Sequence, residues 1–262
     1  MTLHSFIFPS SDGLRPYAGL LLLGNTLYGT TLQGEVVIDG SVGNGTVFKV
    51  DTDGNNFMTL HTFPSLGYPS CRLVSLGNTL YGTTDQGGGL GTVFAIDTSG
   101  NNFTTLHTFT GGSDGDNPYA GLIVSGNTLY WTTSCTGGGG SGTVFSMKPD
   151  GNNFTTLFSF SSGSSGQSPV AEVILSGSTL YGTALNGGSG NNGTVFSLTL
   201  PCASADMSIA QYAGVTISGT IGCTYEIDYT INLNNPTWIP LITNTLSSNP
   251  YLFIGVFSVS SG

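Results

Sequence analysis

The chain has 262 residues, only 7% of them charged and 41 of them glycine, and four Lys/Arg against fourteen Asp/Glu give a formal net charge of -10. Such a balance repels a phosphate backbone, so nucleic acid is excluded as a partner. No stretch spaces apolar residues at i, i+3 and i+4, and no apolar run approaches the roughly 18 residues of a membrane-spanning helix, which leaves an all-β chain with no transmembrane segment.

The chain opens on Thr2-Leu3-His4-Ser5-Phe6 without the basic and apolar regions of a signal peptide. Either a cytoplasmic protein or a start lying upstream is expected from that opening alone. One phrase then recurs four times. Its Leu-Tyr pair falls at Leu27-Tyr28, Leu80-Tyr81, Leu129-Tyr130 and Leu180-Tyr181, and its Gly-Thr-Val-Phe block begins at Gly45, Gly91, Gly142 and Gly193. The Leu-Tyr spacings of 53, 49 and 51 residues are those of a kelch-like propeller blade.

Each repeat resolves into four short β runs, a to d. Run a is apolar (20–23, 73–76, 122–124, 173–175) and ends at Gly-Asn or Gly-Ser, the chemistry of a two-residue hairpin turn. Run b is Thr-Leu-Tyr-Gly-Thr-Thr or a variant, c follows at 47–50, 93–97, 144–148 and 195–198, and d at 57–63, 103–109 and 154–160. The turn before d, as in Asp51-Thr52-Asp53-Gly54-Asn55, has the look of a calcium loop but recurs with the repeat and reads as a hairpin turn.

The fourth repeat has no run d, whereas Thr2 to Phe6 is an orphan run d at the start. One missing strand matches one orphan, so the N-terminal strand is expected to complete the last blade and close a four-bladed ring; the alternative is a piece of a longer array. The expected architecture is therefore all-β, a four-repeat β-propeller over 1–199 followed by a small β-sandwich-like module over 200–262, where Gly214 to Ser218 and Tyr225 to Tyr229 alternate apolar and polar residues.

The unit Tyr119-Ala120-Gly121-Leu122 through Leu129-Tyr130, Gly142-Thr143-Val144-Phe145 and Asp150-Gly151-Asn152-Asn153-Phe154 resembles the GloVer tandem repeat of secreted bacterial "choice-of-anchor" proteins. The tail around Tyr212 to Ile217 and Trp238 to Phe253 resembles their C-terminal modules. That resemblance implies an exported or surface-attached propeller and transfers no catalytic motif.

Candidate chemistry lies where repeats differ. His4, His61 and His107 share one position of run d, which Phe158 fills in another copy, so they read as structural. No Gly-X-Ser-X-Gly elbow supports a nucleophile triad. Five residues before the turn glycine stand Gly19, Arg72, Gly121 and Glu172 in turn, which places one cation and one anion on opposite quarters of the expected channel, either a structural ion pair or a catalytic pair. The b–c and d–a loops share one face and carry Asp12, Asp39, Asp85, Asp114, Asp116, Arg15, Tyr17, Tyr68 and Tyr119. Carboxylates and carbonyls in loops suit Ca²⁺, with Asp12, Asp39, Asp114 and Asp116 as candidate ligands. Tyr17, Tyr68, Tyr119 and Arg15 are candidate ligand-binding residues. Cys202 and Cys223 suit a disulfide in an exported protein, and Cys71 and Cys135 are placed to meet on the loop face.

Two functions are expected from this. One is an extracellular, monomeric binding propeller that engages a glycan, small ligand or protein through its acidic loop face. The other is a calcium-dependent hydrolase of an ester or lactone, with Glu172 as base or ligand and Arg72 steadying the oxyanion.

Overall fold

The computed structural model describes residues 1–7, 11–36, 42–63, 67–85, 89–135, 140–161, 163–201, 206–210, 214–218, 223–229, 239–245 and 251–253. The protein is all-β, as the missing helical spacing requires. Four antiparallel sheets follow the four repeats. The first is β1 (Leu21–Leu23), β2 (Thr26–Val36), β3 (Val42–Asp51) and β4 (Met58–Thr62), paired in chain order. The second is β5 (Val74–Leu76), β6 (Thr79–Thr84), β7 (Thr92–Asp97) and β8 (Thr104–Thr108). The third is β9 (Ile123–Ser125), β10 (Thr128–Thr133), β11 (Thr143–Met147) and β12 (Thr155–Ser159), and the fourth has three strands, β13 (Ile174–Ser176), β14 (Thr179–Ala184) and β15 (Thr194–Thr199). Beyond them, β16 (Asp206–Ala210), β17 (Gly214–Ser218) and β20 (Tyr251–Phe253) pair in one small sheet, and β18 (Thr224–Tyr229) with β19 (Ile239–Thr245) in another. The chain divides into two compact units, Met1–Ile174 with Gly182–Phe196, and Leu175–Tyr181 with Ser197–Gly262.

The turn before run d is a hairpin turn. The Asp51 N–H donates to the Asn55 carbonyl at 2.9 Å, Asp53 Oδ1 accepts the Asn55 N–H at 2.9 Å, and Asn56 takes the left-handed φ of 53° that Asn tolerates. Asp97 and Asp150 do the same for Ser99 and Asn152. These carboxylates serve the turn.

A β-bulge recurs in every c–d pairing. Val47 pairs with His61 and Phe48 with Thr59, so Leu60 is the extra residue; Leu106 and Leu157 are its counterparts. A bulge puts two successive side chains on one side. Leu60, His61 and Phe63 therefore all turn toward the next sheet, where His61 stacks on Phe103 with centroids 3.6 Å apart and Phe63 meets Phe94 edge-on at 5.2 Å. One apolar cluster joins Leu21, Tyr28, Val47 and Leu60 to Leu73, Leu80, Phe94 and Ile96, and a second joins Tyr81 and Val93 to Leu122, Leu129, Trp131 and Phe145. The core thus lies between sheets. Trp131 stands where the other repeats have Gly29, Gly82 and Gly182, whose Cβ would press on the Phe ring of run c; it is fully buried, and Phe145 tilts to 36° beside it.

The N-terminal segment departs from expectation. Residues 2–6 form no strand, and the fourth sheet has no fourth strand among the described residues, so closure of the last sheet by this segment is not seen. The segment packs instead on the first sheet with the contacts of a run d: His4 stacks on Phe57 at 3.6 Å, and Phe6 meets Phe48 edge-on at 5.2 Å. Residues 2–6 thus make the inter-sheet contacts of a run d without pairing as a strand.

Candidate functional site

The d–a and b–c connections meet at one edge of the sheets. Isolated bridges Leu14↔Gln33, Asp116↔Cys135 and Gln167↔Asn186 tie the d–a loops of the first, third and fourth repeats to the ends of their own runs b. A carbonyl just before the proline of each loop completes the latch. Arg15, Tyr68, Asn117 and Ser168 accept N–H donation from Leu32, Asp85, Ser134 and Leu185 at 3.0 to 3.1 Å. Arg15, Asn117 and Ser168 take left-handed φ of 58°, 51° and 56° to do so.

Between the second and third repeats this edge gathers chemistry. Asp85, at the end of run b, is buried, and its Oδ1 has no hydrogen-bond partner. Burial raises its pKa from 3.8 to about 6. Tyr119 lies close enough that burial and then the charges of Asp85, Cys135 and Asp116 push its phenol upward, yet the residue remains 42% exposed. Asp116 is buried and accepts from Asn117 Nδ2 at 3.1 Å. Two of the expected residues, Asp116 and Tyr119, therefore converge with Asp85. Tyr68 contributes its carbonyl to the Asp85 N–H and is half-buried.

Other candidates lie apart. Tyr17 and Arg15 are exposed at the first repeat. Asp12 meets His4 at 3.1 Å. Asp114 accepts from Thr110 N at 2.8 Å and Thr110 Oγ1 at 2.6 Å, and meets His107 at 3.2 Å, so its carboxylate is already occupied in holding its own loop. Asp39 lies outside the described residues. No group of three His, Cys, Asp or Glu placed to hold a metal occurs among the described residues.

Arg72 and Glu172 are both exposed. A Cβ on Gly19 would lie 3.7 Å from the Arg72 Cδ, and one on Gly121 3.3 Å from Glu172 Oε2. Each charged side chain thus leans over the glycine of the preceding repeat, which accounts for the alternation Gly, Arg, Gly, Glu. The ion pairs of the described residues are His4–Asp12 and His107–Asp114, so Arg72 and Glu172 form no salt bridge, although the charge of Glu172 reaches Cys71 beside Arg72.

Cys71 and Cys135 are free and do not pair. The buried Cys71 thiol packs 2.9 Å from Thr83 Oγ1, which donates onward to the Pro118 carbonyl at 2.9 Å; run a of one repeat and the junction to the next use that thiol as a filler. Cys223 is disulfide-bonded, and its expected partner Cys202 lies outside the described residues. Sequence does not mark out Asp85, because loop aspartates are ordinarily solvated, and only its burial sets it apart.

A sequence model described as the Gloeobacter/Verrucomicrobia repeat matches residues 36–224. No curated protein sequence matches the chain. Among solved structures, the computationally designed protein Ika4 is similar at 14% identity and a TM-score of 0.47, over 76% of this chain and all of that one. BamB from Moraxella catarrhalis is similar at 11% identity and a TM-score of 0.43, over 71% of this chain and 47% of that one. A protein from Bacteroides uniformis named for 6-phosphogluconolactonase is similar at 14% identity and a TM-score of 0.39, over 88% of this chain and 71% of that one.

Proposed function

The chain belongs to the Gloeobacter/Verrucomicrobia repeat family, and from that premise we propose that it is an exported, propeller-type binding module that grips a glycan through the loop edge between its second and third repeats. The observation that carries this reading is the half-open ring of Tyr119 set beside the carboxylates of Asp85 and Asp116. An exposed aromatic face supplies apolar contact for the C–H face of a sugar, and carboxylates accept hydrogen bonds from its hydroxyls. Placing both at one loop edge, on latches fixed by backbone hydrogen bonds, pre-organises the site and lowers the entropy lost on binding.

Titration calorimetry against a panel of neutral and acidic oligosaccharides tests it. Binding by the intact chain that is lost in Tyr119→Ala and weakened in Asp116→Asn supports the reading. A panel with no binder, or binding indifferent to both changes, overturns it. The calcium-dependent hydrolase, with Glu172 as base and Arg72 at the oxyanion, is measured alongside by turnover of esters and lactones with calcium or EDTA. Chelator-sensitive turnover abolished by Glu172→Gln would replace the binding module with that enzyme.

A further inference from the structure

Three internal junctions between consecutive repeats are built alike. At each, a proline of the following repeat presses on the glycine of Gly-Thr-Val-Phe, so that a Cβ on Gly45, Gly91 or Gly142 would collide with Pro69, Pro118 or Pro169. Val47, Val93 and Val144 beside those glycines have no exposed surface. Thr83 and Thr132 donate to the carbonyls of Pro118 and Pro169 at 2.9 and 3.2 Å.

The fourth repeat presents the same parts uncovered. The atoms nearest a Cβ on Gly193 belong to Ala184 and Leu185 rather than to a proline, and Thr183, the counterpart of Thr83, is exposed. Val195 is 82% exposed and Ile174 66%. A cavity of about 440 Å³, lined by Thr183, Leu185, Gly193 and Val195 among others, opens where the next repeat's proline sits at the other junctions.

At the opposite end the covering is missing from the other side. Leu73, Leu122 and Val173 are buried, while Leu20 at the same position is 46% exposed. Pro16, the counterpart of Pro69, is exposed too, and a cavity of about 290 Å³ lies among Pro16, Leu20, Leu27, Phe48 and Val50. The N-terminal segment covers only what a run d covers. A run d alone covers the first repeat there, and a sheet with runs a to c and no run d among the described residues is what the fourth repeat offers.

We propose that these two ends bind each other between copies: the fourth sheet of one copy docks on the first repeat of a second, with the second copy's Pro16 seated at Gly193. The edge of β15, which has no partner strand among the described residues, then pairs with residues 2–6 of the second copy. Pro16, Leu20, Gly193 and Val195 all lie within one compact unit, where both surfaces stay open, so each is free to take its counterpart from another molecule. The interface is heterologous and joins copies head to tail. It also covers an apolar face beside an unpaired strand edge, a combination that invites association when left bare.

Light scattering on the eluting intact chain, over a concentration series, reads the mass. The wild type is expected above the 26.9 kDa of one chain. Val195→Asp and Leu20→Asp alter exposed residues, so both are expected to keep the wild-type circular dichroism spectrum and to run as single chains. Their equimolar mixture must give a species of twice the chain mass, because each variant retains the end that the other has lost. A misfolded variant could not complement, so the mixture guards against that trivial explanation. A wild type of single-chain mass at every concentration, or variants that fail to complement, overturns the proposal. Protection of residues 2–6 and 194–199 from hydrogen exchange in a single-chain species would show closure within one chain, which also overturns it.

Discussion

Replacing Asp85 by Asn removes a buried charge at nearly constant shape. The carboxylate has one oxygen without a partner, and its pKa of about 6 stands about two units above 3.8. Between pH ~4 and ~6 the native state keeps a proton that the unfolded chain has released, so stability falls as pH rises through that window, and the whole penalty is present above it. Two units at about 1.4 kcal/mol each amount to roughly 3 kcal/mol at pH 7. The new amide is itself imperfectly bonded, which returns about 1 kcal/mol. A net gain of about 2 kcal/mol in a chain of this size raises Tm by roughly 4–8 °C. Calorimetric melts of wild type and Asp85→Asn from pH 4 to 8 check this: the two curves should converge near pH 4 and separate above pH 6. Parallel curves, or a variant less stable at pH 7, would refute the reasoning and mean that the carboxylate has a stabilising partner.

In the fourth repeat Ala184 stands where Thr31, Thr84 and Thr133 each bond the facing threonine at 2.7 to 2.8 Å, and Thr194 Oγ1 is left buried without a partner. Ala184→Thr is expected to restore that bond and add about 1 kcal/mol in denaturant melts. Arg15→Asn copies the residue that Asn117 uses for the same left-handed latch and should add roughly 0.5–1 kcal/mol by the same measurement. Asp114→Ala strips three hydrogen bonds from its loop and should cost about 1–3 kcal/mol equally with calcium or EDTA; a loss confined to the calcium-loaded sample would instead mark Asp114 as a ligand. Under native conditions an aromatic disulfide reagent should titrate Cys135 and spare Cys71 until the chain unfolds, since burial both shields that thiol and raises its pKa.

The repeat made most of the fold legible, because Leu-Tyr and Gly-Thr-Val-Phe fix the register of runs b and c, and Gly-Asn and Asp-Gly-Asn leave their turns little choice. The bulge was hidden. Simple alternation would set Leu60 and Phe63 on opposite faces, and only the skipped pairing at Leu60 brings Leu60, His61 and Phe63 to one side. That hidden step is also why His61 and His107 are structural: their rings are part of the stack between sheets and their positions belong to packing. The candidate site was legible in its address, since loop edges vary over a constant frame, but not in its membership. Asp85 and Asp114 look alike in sequence, yet one is buried without a partner for Oδ1 and the other is tied down by Thr110 and His107.

The ends of the array show the same limit more sharply. Counting runs finds one orphan d and one sheet lacking d, and a count cannot say whether the two belong to one molecule. Burial bears on that question, because a junction inside the chain leaves Val47, Val93 and Val144 without exposed surface and the unfilled one leaves Val195 mostly in water. Burying a valine contributes about 1.5 kcal/mol or more, and the surrounding Ile174, Leu185 and Leu20 surfaces add to it, so the two open ends are a store of association energy already shaped by the repeat. Complementarity here needs no separate interface: each repeat carries both halves of the junction, and in the first and fourth repeats one half stays uncovered.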